Sequence, residues 1–176
     1  MDVNTVQATP RGSLASVAAY KRAMRKLAGG VCVVTSIHDG KKAGLTATAV
    51  CSLSVAPPSM VVCIDQESRT HAFIKGSGRL AVNALAVDQI QIAQRFSGAT
   101  GLRGEDKFRG IGWSLGATGV PVLEDAMAAF ECVVSTMIPS GSHSIIVALI
   151  ANITTNNTGQ SLVYVEGAYA AVAQLE

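Results

Sequence analysis

Between residues 43 and 64 the chain reads Ala43-Gly44-Leu45-Thr46-Ala47-Thr48-Ala49-Val50-Cys51-Ser52, then Val55-Ala56-Pro57-Pro58, then Met60-Val61-Val62-Cys63-Ile64. Small side chains let backbone come close to a flat ring, and alternating threonines set hydroxyls beside peptide N–H groups. The double proline turns the next strand back alongside. This is chemistry for seating a planar, oxygen-rich ligand; the stretch holds no carboxylate pair, metal cluster or nucleophile elbow. The same pattern also describes a buried β-hairpin of small residues. A second cluster, Ser68-Arg69-Thr70, brings two hydroxyls, a permanent cation and free N–H groups to a helix start, the makings of a phosphate seat. Its plain alternative is a capping serine followed by a surface arginine. Asn83 is a polar residue in the apolar strand Leu80-Ala81-Val82-Asn83, either a ligand contact or a satisfied core amide. His143 follows a Gly141-Ser142 turn, so its imidazole projects from a strand rim, whereas His38 and His71 have no such setting.

These groups need a scaffold, and 176 residues fit one domain with a core that needs no metal or disulfide. Hydrophobic residues make up 49% and charged ones 15%, a balance that predicts an extra buried face, either a cofactor pocket or a homodimer interface. With 14 basic and 12 acidic residues the net charge is +2, and the basic cluster Lys21-Arg22 with Arg25-Lys26 reads as a solvated helix face. Nucleic acid is not implied. Met1-Asp2-Val3-Asn4 has no basic start leading into an apolar segment, and the run from Ile145 to Ala151 is too short to span a bilayer. A cytoplasmic address without membrane contact is expected. Cys32, Cys51, Cys63 and Cys132 lack C-x-x-C spacing and sit in apolar, strand-like contexts, so buried reduced thiols are expected and no metal site.

Residues 1–15 show no periodicity and predict a flexible arm ahead of a structured domain over 16–176. Val17, Tyr20, Met24 and Leu27 recur at helical spacing, with Gly29-Gly30 as the stop. A strand over 31–37, an Asp39-Gly40 turn and an antiparallel return over 42–50 follow, then a third strand over 59–64. Ser68 is placed to cap a short helix through Ile74, and 80–85 is a further strand. Asp88, with Gln91 three residues on, is placed to open a helix through Phe96. The seven glycines between Ser97 and Gly119 predict a long functional loop too irregular for core; Trp113 within it either covers a ring or simply packs. Strands over 128–137, 144–153, 162–165 and 168–172 complete an all-antiparallel pattern whose economical closure is a barrel. No G-x-G-x-x-G links a strand to a helix, which disfavours a Rossmann fold.

The order Val33-Val34-Thr35-Ser36, Gly44-Leu45-Thr46-Ala47-Thr48-Ala49, Pro57-Pro58, Val62-Cys63-Ile64, Ser68-Arg69-Thr70, Val82-Asn83, Phe96, Lys107-Phe108, Gly119-Val120-Pro121, Glu131-Cys132, Gly141-Ser142-His143 and Gly167-Ala168-Tyr169 resembles the flavin reductase family of the FMN-binding split barrel. The resemblance runs from about Tyr20 to the C-terminus. It implies a mainly β fold, an antiparallel Greek-key split β-barrel with a few short helices, dimeric, with flavin near the subunit boundary. It also implies reduction of FAD or FMN by NADH or NADPH, with reduced flavin passed to a separate monooxygenase. Under that resemblance the backbone of Thr46, Ala47, Thr48 and Ala49 faces the flavin carbonyls, Ser52 lies nearby, and Cys63 and Ile64 shape the adjoining wall. Ser68, Arg69 and Thr70 hold the flavin phosphate, Asn83 touches the ribityl or phosphate end, and His143, beside Ser142, approaches the nicotinamide.

Lys107 and Phe108 hold the flavin tail or the dinucleotide, unless they are a solvated lysine and a packing phenylalanine. Tyr169 lies near the flavin or the dimer seam, unless it is core. Two departures stand out. Thr48 and Ala49 replace the Asn and Ser common in the family, and Ser142 replaces the aspartate of its usual Gly-Asp-His, which removes a carboxylate that could orient the imidazole. That second loss leaves open a non-catalytic flavin-binding or electron-carrier barrel, and the apolar excess leaves open an interaction module without cofactor. FAD against FMN and NADH against NADPH are not separable from these residues.

Overall fold

The structure is a computed structural model that describes residues 13–156 and 159–173, so most of the expected N-terminal arm lies outside the described residues. Ser16 caps the first helix, α1 (Val17–Met24), its hydroxyl accepting from the Ala19 N–H at 3.2 Å. The helix stops short of Gly29-Gly30: Lys26 and Leu27 bond back three residues instead of four, and the Arg25 carbonyl is taken by the Glu166 N–H. The two glycines form a short strand instead, β1 (Gly29–Gly30).

Strands β2 (Cys32–His38) and β3 (Lys41–Ala47) make the expected hairpin, with Asp39 and Gly40 both at positive φ (49° and 71°), the geometry that suits the twist of a tight hairpin. A separate strand, β4 (Val50–Val55), pairs with β5 (Pro58–Asp65), so the expected single strand over 42–50 is broken at Thr48-Ala49. Helix α2 (Arg69–Ser77) runs one turn beyond Ile74 before Gly78, at φ 67°, ends it, and β6 (Arg79–Ala84) follows. The expected Asp88 cap gives way to Gln89, whose carboxamide accepts from the Ala86 N–H at 3.0 Å and donates to the Asp125 carbonyl at 2.8 Å. Helix α3 (Ile90–Ser97) comes next, then β7 (Trp113–Leu115), β8 (Pro121–Leu123), the long hairpin β9 (Ala128–Ser140) and β10 (His143–Thr155), and finally β11 (Leu162–Val165) and β12 (Ala168–Ala171).

Seven strands pair in the order β3-β2-β6-β9-β10-β5-β4. β3 and β4 stand at opposite ends of that order, yet only Thr48 and Ala49 separate them in sequence, so the sheet must curl until its two edges nearly meet. The Cys63 N–H donates to the Ala49 carbonyl at 2.9 Å, extending the β4–β5 pairing back to the link itself. The result is the mainly β, antiparallel barrel that the strand pattern implied, split as the resemblance implied. Val34, Val62, Ile64, Leu80, Val82 and Ile146 fill its interior. β2 and β6 are buried on both faces, because α3, β8 and the glycine-rich stretch cover their outer side with Phe96, Phe108, Val120 and Leu123. That stretch therefore does carry core: Phe108 is 6% exposed and meets Phe96 edge-on at 5.0 Å, with Trp113 against both rings. Its glycines bend the chain tightly enough to deliver these rings.

Burial raises the Cys32 thiol to about 11, and burial with the charge of Glu131 raises Cys132 to about 12, so both are inert. Cys51 corrects the expectation of uniform burial, since it lies exposed on the edge strand β4. Among the described residues no His, Cys, Asp and Glu cluster could hold a metal ion, and no helix is long and apolar enough to cross a membrane. The apolar face of α1 is uncovered, with Val17 68% and Tyr20 58% exposed.

Glu131 is a buried carboxylate on β9 that binds the 116–119 turn to the sheet. It accepts from the Thr118 N–H at 2.7 Å, the Thr118 hydroxyl at 2.8 Å and the Asn152 amide at 2.7 Å. Burial pushes its pKa up, but these donors outweigh burial and hold it below the ordinary 4.5. A folded value below the unfolded one means stabilisation that is complete above about 4.5 and lost as pH falls through the folded value. Glu131→Gln turns an amide N–H₂ toward donors and should cost about 1–3 kcal/mol at pH 7 in urea unfolding. The gap between variant and parent should narrow as the parent's carboxylate protonates; a gap independent of pH would refute the assignment.

Candidate functional site

Strand β3 is the spine of the site. Among the described residues this edge strand pairs with β2 alone, so alternate peptide groups along Lys41–Ala47 face away from the sheet. Helix α3 is tied to it by the Thr46 hydroxyl, which donates to the Ala93 carbonyl at 2.6 Å. The proton of that hydroxyl is therefore committed, and the donor that Thr46 has left is its backbone N–H. Gly44 permits the close approach of the aromatic cluster: a Cβ there would stand 2.8 Å from Phe96 Cε1 and 3.3 Å from Phe108 Cζ.

Two clefts open along this strand. The smaller, about 110 Å³, is lined by Ala43, Gly44 and Leu45 of β3, by Ser68, Arg69 and Thr70 at the start of α2, and by Gly104 and Lys107. The larger, about 430 Å³, is lined by Thr46, Ala47, Thr48, Ser97, Tyr164 and Tyr169 among others. Thr48 and Tyr164 also border a third hollow of about 460 Å³, where Ala49 meets Tyr20 and Met24 of α1. Ser68, Arg69 and Thr70 are thus gathered with Lys107, and Thr46, Ala47 and Thr48 with Tyr169.

The small cleft is cationic. Lys107 donates to the Phe96 carbonyl at 3.1 Å, and burial followed by the nearby charge of Arg103 pushes its pKa below the usual lysine value. Arg69 lies 5.0 Å over the Phe73 ring. Among the described residues neither Arg69 nor Lys107 forms an ion pair, and no carboxylate lines the cleft; Glu105 is occupied by the Lys42 N–H at 3.1 Å. Ser68 caps α2, accepting from the His71 N–H at 3.1 Å and donating to the Asp65 carbonyl at 2.8 Å, so the capping alternative holds while the residue still lines the cleft.

The rim of the barrel carries His143, exposed where β10 begins, outside both clefts. Ser142 Oγ lies 2.8 Å from His143 Nδ1, a neutral partner that can donate or accept and brings no charge to the ring. Four expected site residues stand apart. Asn83 is fully buried, its amide donating to the Val33 carbonyl at 2.9 Å and its carbonyl accepting from the Leu123 N–H at 2.8 Å, so it is the core amide of the two alternatives. Ile64 points into the barrel interior, Ser52 is exposed on β4 opposite Met60, and Phe108 belongs to the aromatic core. Cys63 backs the Thr48–Ala49 crossing through its N–H.

Tyr169 is half-buried and edge-on to Tyr164 at 5.3 Å; burial raises its phenol above the usual value, opposed by a Ser97 hydrogen bond and aided by Tyr164. Gln94, Ser97 and Tyr164 enter the cleft unannounced by any local motif. His71 was set aside on sequence, yet its Nε2 lies 2.9 Å from Ser144 Oγ, joining α2 to the strand that bears His143. The role of Gly44 is directly checkable. Gly44→Ala should lower unfolding stability by about 1–3 kcal/mol in urea, since Phe96 is itself buried and cannot yield; an unchanged midpoint would show that the rings are loosely held.

Comparison with known proteins bears on this geometry. Residues 24–173 match the family model described as flavin reductase like domain. The 4-hydroxyphenylacetate 3-monooxygenase reductase component of Salmonella typhimurium is 37% identical over 145 residues, covering 82% of this chain and 85% of that protein. An FMN reductase (NADH) of Stutzerimonas stutzeri is 34% identical over 145 residues, covering 82% of each. The solved structure of the flavin reductase PheA2 in its native state superimposes with a TM-score of 0.83 at 28% identity, covering 91% of this chain and all of that one.

Proposed function

Because this chain belongs to the flavin reductase like domain family, we propose that it moves hydride from NADH or NADPH to FAD or FMN, as the component that supplies reduced flavin to a separate monooxygenase. The observation that carries this reading is the pairing of two clefts on one edge strand. One is small, cationic and without a counter-charge; the other is large, lined by small residues and two tyrosines. A volume of about 430 Å³ falls in the range of small-molecule sites, and the free peptide groups of β3 are donors suited to ring carbonyls. Bound there, a flavin supplies the redox chemistry itself, accepting hydride from a dihydronicotinamide.

The residues of the chain hold and orient. Arg69 and Lys107, with the N-terminal turn of α2, bind the phosphate end. The backbone of Thr46 to Ala49 faces the ring, with Tyr169 and Cys63 on its flanks. His143, fixed by Ser142, meets the nicotinamide. The scarcity of titratable groups in the larger cleft agrees with a reaction that needs positioning more than proton transfer. The non-catalytic carrier rested on the lost aspartate; the Ser142 hydroxyl, 2.8 Å from the imidazole, supports the reductase reading by giving that ring a hydrogen-bond partner.

The uncovered apolar face of α1, beside the hollow at Thr48 and Ala49, supports pairing with a second copy that would complete the site. A cytoplasmic setting, where reduced nicotinamides are regenerated and free thiols persist, goes with this reading.

Purified protein should oxidise NADH or NADPH only when FAD or FMN is present; no flavin-dependent oxidation with either nicotinamide would overturn the proposal. The phosphate seat is tested by Arg69→Ala with Lys107→Met. The pair should raise the Kd for FMN by about tenfold or more and change that for riboflavin, which lacks the phosphate, by less than about twofold. Equal losses for both flavins would move the phosphate elsewhere.

A further inference from the structure

The turn that presents His143 is held from outside by one side chain. Gln66 Nε2 lies 3.1 Å from the Gly141 carbonyl and 2.8 Å from the His143 carbonyl, and the Gln66 backbone N–H donates to the Ser142 carbonyl at 3.0 Å. Both side-chain partners are acceptors, so chemistry alone orients the carboxamide with its N–H₂ toward the turn. Three consecutive carbonyls, those of Gly141, Ser142 and His143, thus converge on a single residue of another segment. The turn closes a hairpin of two 13-residue strands; the sheet holds its base through the pairs of His143 with Asp65 and Ser140, and Gln66 ties the Gly141-Ser142 tip beyond them. Gly141 itself sits at φ 57°, a backbone state that most side chains resist, so the turn has the shape it needs without help; what it lacks is a fixed direction.

Gln66 has that direction to give, because its own loop is rigid. Asp65 pairs with His143 in the β5–β10 ladder, its carboxylate accepts from the Glu67 N–H at 2.9 Å, and its carbonyl is bonded by both the N–H and the hydroxyl of Ser68. The same three-residue loop that leads into α2 and its cationic cleft therefore grips the histidine turn. We infer that Gln66 is a positioning residue for the nicotinamide step: it fixes the Gly141-Ser142-His143 turn so that the imidazole, oriented by Ser142, stays aimed at the ligand. The inference rests on the reading of His143 given above, and its test keeps the two apart.

Gln66→Met keeps the length of the side chain and removes its donors without adding charge. Thermal stability should change little, since Gln66 is only half-buried and its backbone bond to Ser142 remains. In the parent the His143 imidazole should give one sharp cross-peak in a proton–carbon NMR spectrum, assigned by its loss in His143→Ala; in Gln66→Met without ligand it should shift and broaden. With flavin, kcat/KM for NADH should fall about tenfold while the flavin Kd stays within about twofold. Combining the variants should be non-additive, Gln66→Met costing nothing further in a His143→Ala background. Normal NADH kinetics in His143→Ala would overturn the role of the histidine and this inference with it. A damaged His143→Ala beside a Gln66→Met of parental spectrum and kinetics, or strictly additive losses, would overturn the part assigned to Gln66 alone.

Discussion

The structure depends on one constraint of connectivity. Two residues, Thr48 and Ala49, must link strands that lie at opposite ends of a seven-stranded order. A flat sheet of that order would set those ends roughly 30 Å apart, at about 4.8 Å per strand spacing, far beyond the reach of so short a link. The sheet therefore closes, and it closes imperfectly: β3 finds a ladder partner only in β2 and β4 only in β5. The split leaves β3 with unpaired peptide groups on one side, and those groups are what a ligand carbonyl can use. Barrel closure and ligand site are two consequences of the same crossing.

The sequence carried the strand pattern and its turn chemistry well. Asp39-Gly40 announced a hairpin because both residues tolerate positive φ, and Ser68 announced α2 because a hydroxyl before a helical run has one favourable use. The break at Thr48-Ala49 was illegible, since small and β-branched residues read as continuous strand and only the pairing of Val50 with Val62 shows where β4 begins. The glycine-rich stretch misled for a related reason. Glycines signal irregular backbone, and irregular backbone is usually surface, but here it carries Phe108 and Trp113 into the aromatic core.

Within the site, local motifs reported local chemistry. Arg69 and Lys107 were visible singly, while their convergence on one cleft depends on a separation of 38 residues that no spacing rule connects. Asn83 was left open between ligand and core, and its surroundings decide it: both ends of its amide meet backbone groups that burial would otherwise leave unsatisfied. Gln66 passed unnoticed and His71 was set aside because both act on the 141–144 segment only through tertiary contacts, and polar residues before and after a cap are ordinary in any sequence.

Those two residues indicate how the parts of the site are kept in register. The segment from Asp65 to His71 starts at the end of a barrel strand, caps a helix, lines the cationic cleft and touches the histidine turn at Gln66 and its supporting strand at His71. A displacement of α2 on filling the cleft would be passed to the rim through two short hydrogen-bonded links, with no flexible loop between to absorb it. Hydride transfer tolerates little error in the approach of two rings. On the proposed reading, the seat for one ligand and the support of the histidine turn share the seven consecutive residues from Asp65 to His71, and a scaffold of that kind meets the tolerance by construction.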